Sequence, residues 1–196
     1  MEEKLPVNNL VLPKDSGSTR EFETGAHRDN AANKGRCDLL PHKEVAMVIR
    51  RAATMPPIEE KFASAVFTEE IGKFMADRKI EHLADAIRAC HAGLDEYKDM
   101  PIEYMFLEVS HLYEAGAIKY KENNWKNGMP VKVYIDSGMR HFYKARVANA
   151  AKRAGRDCEF FDEPHYRGPV WNLLCAMWTA ANKPEMLKNL VVVEKA

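Results

Sequence analysis

The segment "DEPHYRGPVWN", residues 162–172, brings together side chains that can bind a metal ion or move a proton. Asp162 and Glu163 stand directly before Pro164, and His165 follows the proline. One interpretation is structural, because an acidic residue before a proline is typical of a helix cap and its first turn. The other interpretation is chemical, because carboxylate and imidazole groups this close in sequence can bind one metal ion together.

A glycine–proline pair at 168–169 favours the chemical interpretation. A proline there disfavours a continuous helix from residue 164 onwards, so we expect a short turn followed by a helix that restarts at Pro169. On such a turn Asp162, Glu163 and His165 can reach one point, and their donor atoms suit Mg²⁺ or Mn²⁺. Asn172, seven residues after the histidine, would return to the same side or support the site by a hydrogen bond.

Two further segments offer candidates for the same chemistry. Glu108 and His111 are three residues apart on a predicted helix, so they share one surface and can ligate a metal together, as can Glu114 on the flank of that face. The alternative is a solvated polar face. His141 lies in "DSGMRHFYKA", and its neighbour Arg140 points about 100° away from it on a helix, where it can also pair with an acidic residue one turn earlier.

Cations and aromatic rings elsewhere suit a nucleotide. A glycine-containing segment carries three cations that can hold phosphate: Arg28, Lys34 and Arg36. The stretch "GAIKYKENNWKNG" offers a cation, stacking faces and an amide: Lys119, Tyr120, Asn124 and Trp125. The alternatives are a charged arm for the first segment and a helix end with a buried tryptophan for the second.

Hydrophobic periodicity predicts the elements that position these groups. We expect an all-α fold, a bundle of five or six helices with an extended N-terminal arm, and no strand except for an isolated "LVVVE" at 190–194. The predicted helices are one after Pro41 and then about 58–76, 80–97, 102–120, 133–154 and 169–182. We expect a flexible arm over 1–22 and a single domain over 23–196.

Composition excludes several classes of function. The 196 residues contain 29 basic and 29 acidic side chains, so the formal net charge is zero and no basic surface for duplex nucleic acid is expected. No apolar run is long enough for a membrane span, and the acidic N-terminus lacks the apolar region of a signal peptide. Four scattered cysteines indicate reduced thiols and a cytoplasmic protein, in the host cytoplasm if phage-encoded.

Five motifs occur in a fixed order: "TGAHRD", "KGRCDLLP", "YEAGAIKYKENNW", "DSGMRH" and "DEPH…WN". Together they resemble the N-terminal domain family of phage and bacterial dATP/dGTP diphosphohydrolases, over about residues 23–49 and 104–180. The resemblance implies an all-α nucleotide pyrophosphohydrolase, similar in style to MazG-like enzymes, that uses Mg²⁺ or Mn²⁺ to cleave a purine nucleoside triphosphate to monophosphate and pyrophosphate. Residues 52–103 have no counterpart in short family members and are predicted to be a helical insertion.

The residue patterns and the resemblance together predict roles, in which Glu108 and Glu114 are further metal-ligand candidates that come from their place on one helix and not from the resemblance. The predicted catalytic residues are His141, Glu163 and His165. The predicted metal ligands are Glu108, Glu114, Asp162, Glu163 and His165. The predicted substrate-binding residues are Arg28, Lys34, Arg36, Lys119, Tyr120, Asn124, Trp125, Arg140 and Asn172. Family-like positions also include Asp29, Asp38 and Asp136.

Three functions remain open from the sequence. Besides the pyrophosphohydrolase, the chain could be a non-catalytic nucleotide- or protein-binding module, with the 52–103 segment as its partner surface or a homo-oligomer interface. It could also be a deoxynucleotide triphosphohydrolase, but that chemistry needs an adjacent His-Asp pair and no such dipeptide occurs.

Overall fold

The structure, a computed structural model, describes residues 19–29, 33–188 and 190. The chain divides into two compact units, Met1–Lys34 and Gly35–Ala196. In the first unit, the described residues form a small hairpin in which β1 (Thr19–Glu21) pairs antiparallel with β2 (His27–Asp29). The sequence predicted only an extended arm here. The turn between the strands depends on Gly25, whose φ of +79° is a conformation that glycine adopts without strain.

The second unit consists of six α-helices in its described part, which confirms the prediction of an all-α fold. They are α1 (His42–Thr54), α2 (Ala63–Asp77), α3 (Ile80–Gly93), α4 (Ile102–Tyr120), α5 (Val131–Arg153) and α6 (Arg167–Asn182). None of the described helices is long and apolar enough to cross a membrane.

The predicted helix boundaries hold best where proline or glycine marks them. Helix α4 begins directly after Pro101 and ends at Tyr120, as predicted. Helix α5 ends at Arg153, within one residue of the predicted end, and Gly155 follows with a φ of +61°, which is typical of the glycine after a helix. Helix α3 was predicted too long at its C-terminal end, since it stops at Gly93 and the chain continues in turns.

Two other boundaries differ for local reasons. The second predicted helix begins later, because a 3₁₀ turn over Glu60–Phe62 precedes α2. Helix α6 begins at Arg167, two residues earlier than predicted. Pro169 is tolerated in that first turn because the N–H that it lacks would have no partner within the helix there. The "LVVVE" segment lies outside the described residues, apart from Leu190.

Helices α3 and α6 form the centre of the bundle. Eleven of the 16 residues of α6 and nine of the 14 residues of α3 are buried. Helix α6 packs against α5, α3, α4 and α1. The rings of Phe67 in α2 and Phe142 in α5 stack with their centroids 3.9 Å apart. Helix α6, which begins two residues after the "DEPH" motif, is therefore held on several sides.

A buried ion network joins α1 to α3. The Asp85 carboxylate accepts hydrogen bonds from Arg51, with one N–O distance of 2.8 Å, and from Arg88 at 3.0 Å. Arg88 also donates to the carbonyl of Pro56 at 2.6 Å. Burial raises the pKa of Asp85, but the hydrogen bonds from the two arginines outweigh burial and leave its pKa below the usual value.

Replacing Asp85 by asparagine should lower the free energy of unfolding by about 3 kcal/mol near neutral pH, because two guanidinium groups lose their carboxylate. The pKa of Asp85 is lower in the folded than in the unfolded chain. The contribution of the ionised Asp85 to the free energy of unfolding is therefore fully present above about pH 4, and it is lost as the pH falls through the folded-state pKa. Urea unfolding of both proteins across pH should show a difference that shrinks in acid.

The control is Asp99→Asn, because Asp99 is exposed and has no ion pair among the described residues. It should unfold like the wild type at every pH. A difference between Asp85→Asn and the wild type that does not change with pH would contradict the assigned role of the network.

Candidate functional site

Two glycines allow α5 and α6 to approach closely. A Cβ atom on Gly168 would lie 2.5 Å from Cγ of His141, a distance that no side chain tolerates. A Cβ atom on Gly138 would lie 3.3 Å from Cβ of Asn172. Glycine at 168 therefore lets the His141 ring lie against the backbone of α6, beside the turn that precedes this helix.

The "DEPH" residues form that turn and do not cap a helix. A 3₁₀ turn over Glu159–Phe161 leads into it, and the N–H of His165 donates to the carbonyl of Glu163 at 2.8 Å. Helix α6 has no side-chain hydrogen bond at its N-cap. The helix-cap interpretation of the motif is therefore wrong, and the predicted short turn before the helix is confirmed.

Three donor atoms meet where this turn faces α5. Nδ1 of His141 lies 3.0 Å from Nδ1 of His165, and Oε1 of Glu163 lies 3.0 Å from Nδ1 of His165 and 3.8 Å from Nδ1 of His141. Neighbouring ligands of one cation have similar spacing, because bonds of about 2.1 Å at right angles put the donors about 3 Å apart. The arrangement can hold a metal ion.

The burial and partners of the two histidines fix which atoms are available. The His165 side chain is 1% exposed, and its Nε2 lies 3.1 Å from Oδ1 of Asp162. An Nε2–H that donates to Asp162 leaves the Nδ1 lone pair free to face His141 and Glu163. Burial lowers the pKa of His141, against the opposing effect of the Glu163 carboxylate, so this imidazole is neutral near pH 7. Asp162 thus orients His165 from the far side of the ring.

A cavity of about 820 Å³ opens beside the cluster. Its volume is within the range of small-molecule sites. Seven residues that the sequence predicted for the site line it: Lys119, Tyr120, Asn124, Trp125, His141, Glu163 and Asn172. The Lys119 ammonium lies 4.9 Å from the ring centre of Tyr120, and Asn172 is fixed by a 2.8 Å hydrogen bond to the carbonyl of Gly168. Two residues of the cluster, His141 and Glu163, therefore line the same cavity as the aromatic residues.

Glu108 and Glu114, the predicted metal ligands on α4, lie outside the cluster of donor atoms found among the described residues. Glu108 accepts a hydrogen bond from the Tyr166 hydroxyl at 2.8 Å and two from Arg167 at 3.0 and 2.6 Å. Glu114 is buried and accepts the backbone N–H of Gly35 at 2.9 Å. Glu108 therefore braces the residues that follow His165, and Glu114 supports the backbone at Gly35.

Two predicted phosphate-binding arginines have acidic partners. Arg36 forms hydrogen bonds of 2.7 Å to Asp38 and an ion pair of 2.8 Å with Glu122. Arg140 is bonded to Asp136, one helical turn earlier on α5. Neither arginine is among the residues that line the cavity. The remaining predicted cations, Arg28 and Lys34, belong to the first unit, and the Arg28 side chain lies outside the described part.

Sequence reasoning missed part of the cavity wall. Tyr113 and Gly116 of α4, Asn123 of the following loop, Tyr134 of α5 and Trp171 of α6 all line it without having been predicted. A signal existed for α4, because residues 113, 116 and 120 follow one another at helical spacing and so share a face. Nothing comparable indicated Trp171, which lies on another helix.

Residues 100–189 match the model of the family described as dATP/dGTP diphosphohydrolase, N-terminal. The match confirms the resemblance over α4, α5, α6 and the turn that carries the cluster, a little under half of the chain. It does not include the motifs within 23–49. Comparisons with the curated proteins and with the solved structures found no match.

Replacing Glu163 by glutamine should weaken binding of Mn²⁺ by about tenfold or more, because it removes the one negatively charged donor of the cluster. The side chain is 53% exposed, so the fold should not change. Calorimetric titration with MnCl₂ measures the effect. The matched control is Glu159→Gln, an exposed carboxylate four residues earlier that lies outside the cluster. Equal affinity in both variants would mean that the cluster does not bind this ion.

Proposed function

We propose that this protein is a metal-dependent nucleotide pyrophosphohydrolase that cleaves a purine nucleoside or deoxynucleoside triphosphate to monophosphate and pyrophosphate. One observation carries the proposal: His141 and Glu163 belong both to the donor cluster and to the wall of the aromatic cavity. A molecule in the cavity therefore meets the cluster at one end and aromatic rings at the other. A nucleotide has the same division, with charged phosphates at one end and a flat base at the other.

The donor set fits a divalent cation and favours one of the two predicted ions. Two imidazole nitrogens and one carboxylate oxygen suit Mn²⁺ better than Mg²⁺, which prefers oxygen ligands and retains several waters. Bound there, the cation would lower the pKa of a coordinated water and offset the charge of the phosphates. Asp162 supports this use, because its carboxylate lies 3.1 Å from Nε2 of His165 and can accept that N–H while Nδ1 binds the cation.

The remaining chemistry falls to residues on the cavity wall. With His141 and His165 holding the cation through Nδ1, the second carboxylate oxygen of Glu163, which lines the cavity, would take a proton from a water at the edge of the cluster. In-line attack of that water on the α-phosphorus breaks the α–β anhydride bond and releases pyrophosphate. Lys119 and Lys121 line the cavity and supply positive charge for the phosphates, while Tyr120 and Trp125 offer faces for the base or sugar.

A panel of nucleoside triphosphates tests the reaction directly. The purified protein, incubated with each dNTP and NTP and with Mn²⁺, Mg²⁺ or EDTA, should release pyrophosphate from a purine nucleotide only when a metal is present. His141→Ala and Glu163→Gln should each lower kcat by about 100-fold or more, because the first removes a ligand of the cation and the second removes the proton-accepting carboxylate. Glu159→Gln should retain full activity. Release of triphosphate, or equal rates in all variants, would contradict the proposal.

A second prediction concerns the cavity alone. A Cβ atom added at Gly116 of α4 would have no atom within 4 Å apart from its own neighbours and helix backbone, and this glycine lines the cavity. Gly116→Phe should therefore fill the space meant for the nucleotide and raise KM by about tenfold or more, because the nucleotide and the ring would compete for one volume. The stability of helix α4 should rise slightly, since glycine is a poor helix former.

The chain offers a matched control for this substitution. Gly72 of α2 is also helical, is exposed and has equally open surroundings. Gly72→Phe should leave KM and the melting temperature near the wild-type values. Unchanged KM in Gly116→Phe would show that the substrate binds elsewhere.

A further inference from the structure

The cavity wall holds an unusual set of polar atoms. Among the described residues, four buried side-chain atoms have no hydrogen-bond partner: Asn123 Oδ1, Trp125 Nε1, Trp171 Nε1 and Thr179 Oγ1. The first three belong to residues that line the cavity. Buried polar groups without partners are rare in native proteins and cost stability, so each needs an explanation. Three on one wall indicate a group that pairs with them when bound.

The two indoles contrast with the phenols beside them. The ring of Tyr113 lies between them, with centroid distances of 5.5 Å to Trp125 and 6.1 Å to Trp171. The Tyr113 hydroxyl lies 3.5 Å from Sγ of Cys175, and the Tyr134 hydroxyl donates to the carbonyl of Trp125 at 3.3 Å. The hydroxyls of Tyr113 and Tyr134 thus have partners within the protein, whereas the two indole N–H groups have none among the described residues.

The backbone holds Asn123 in place. Its φ of +59° is left-handed, a conformation that asparagine adopts more readily than most residues, and its carbonyl accepts the N–H of Lys126 at 2.9 Å. The turn therefore explains why asparagine occurs here, but it leaves the amide oxygen unpaired. That oxygen adds an acceptor to a wall that otherwise offers two donors.

We propose that Trp125 and Trp171 donate their indole N–H groups, and that Asn123 accepts at its amide oxygen, in hydrogen bonds to the polar edge of the bound base. The inference rests on the proposed function and deepens it. A purine suits this wall because it has acceptor nitrogens on both fused rings, N7 on one and N3 on the other, and a donor on its edge. The three atoms are covered in the free protein, so binding must shift the wall slightly and should change tryptophan fluorescence.

Binding of an uncleavable ligand tests the inference without catalysis. The ligand is a purine deoxynucleoside triphosphate with a methylene bridge between the α- and β-phosphates, titrated with and without Mn²⁺. Trp125→Phe and Trp171→Phe keep an aromatic ring but remove the N–H, so each should raise Kd by about three- to tenfold. Asn123→Ala should weaken binding to a similar degree.

The control is Trp178→Phe. Trp178 packs against Trp125 with a centroid distance of 5.2 Å but is not among the cavity-lining residues, so its substitution tests packing alone. It should bind the ligand as the wild type does. A 7-deazapurine analogue lacks the N7 acceptor. With this analogue, at least one of the two tryptophan variants should bind with the same Kd as the wild type.

The outcomes separate this inference from the proposed function. Wild-type binding of the uncleavable ligand with loss in both tryptophan variants supports the inference, even if no pyrophosphate is released from a natural nucleotide. Pyrophosphate release together with unchanged Kd in both variants overturns the inference and leaves the proposed function standing. Failure of the wild type to bind the ligand also overturns the inference.

Discussion

The close packing of α5 against α6 at Gly168 is the constraint on which the site depends. The His141 ring occupies the space that a side chain at position 168 would need. Helix α6 begins one residue before this glycine, and His165 lies in the turn immediately ahead of it. The contact therefore sets the distance between the two histidines, and the Glu163 carboxylate completes the group from the same turn. A larger residue at 168 would displace the His141 ring directly and so separate the donors.

Helix α4 and the segment before it hold the turn from the other side. Glu108 accepts hydrogen bonds from Tyr166 and Arg167, the two residues that follow His165. The hydroxyl of Tyr97 donates to the carbonyl of Tyr166 at 3.2 Å. Tyr97 belongs to the segment that was predicted to be an insertion, so this segment contributes to the position of the cluster. The same helix α4 supplies part of the cavity wall, and one element thereby links the cluster to the proposed base-binding region.

The sequence was informative where local physics decides the structure. The apolar stripe of α4 and the proline before it predicted that helix, and the glycine–proline pair at 168–169 indicated a turn around His165. It was less informative where partners come from distant residues. Glu108 and Glu114 share a helix with a metal-ligating pattern, but their hydrogen-bond partners lie about sixty and eighty residues away in the chain. The hairpin at 19–29 was missed because three-residue strands carry too little pattern.

The cavity shows the same limit. Lys119, Tyr120 and Trp125 could be found because they are close in sequence and chemically distinctive. Trp171 could not, because its role depends on the contact between α6 and the aromatic residues of α4 and α5. Only the folded chain shows that its indole N–H and that of Trp125 lie on the same wall and both lack a partner among the described residues. Buried polar atoms without hydrogen-bond partners thus indicate binding residues, such as Trp171, that the sequence alone did not predict.

The central claim is that the donor cluster and the aromatic cavity form one site for a metal ion and a nucleotide. The most direct measurement is a crystal structure of the protein soaked with Mn²⁺ and an uncleavable purine nucleotide, with the metal located by its anomalous scattering. The account predicts an anomalous peak bounded by Nδ1 of His141, Nδ1 of His165 and the carboxylate of Glu163. The phosphates should lie beside it and the base among the rings of the cavity. A metal at the α4 carboxylates, or a nucleotide bound away from the cluster, would contradict the account.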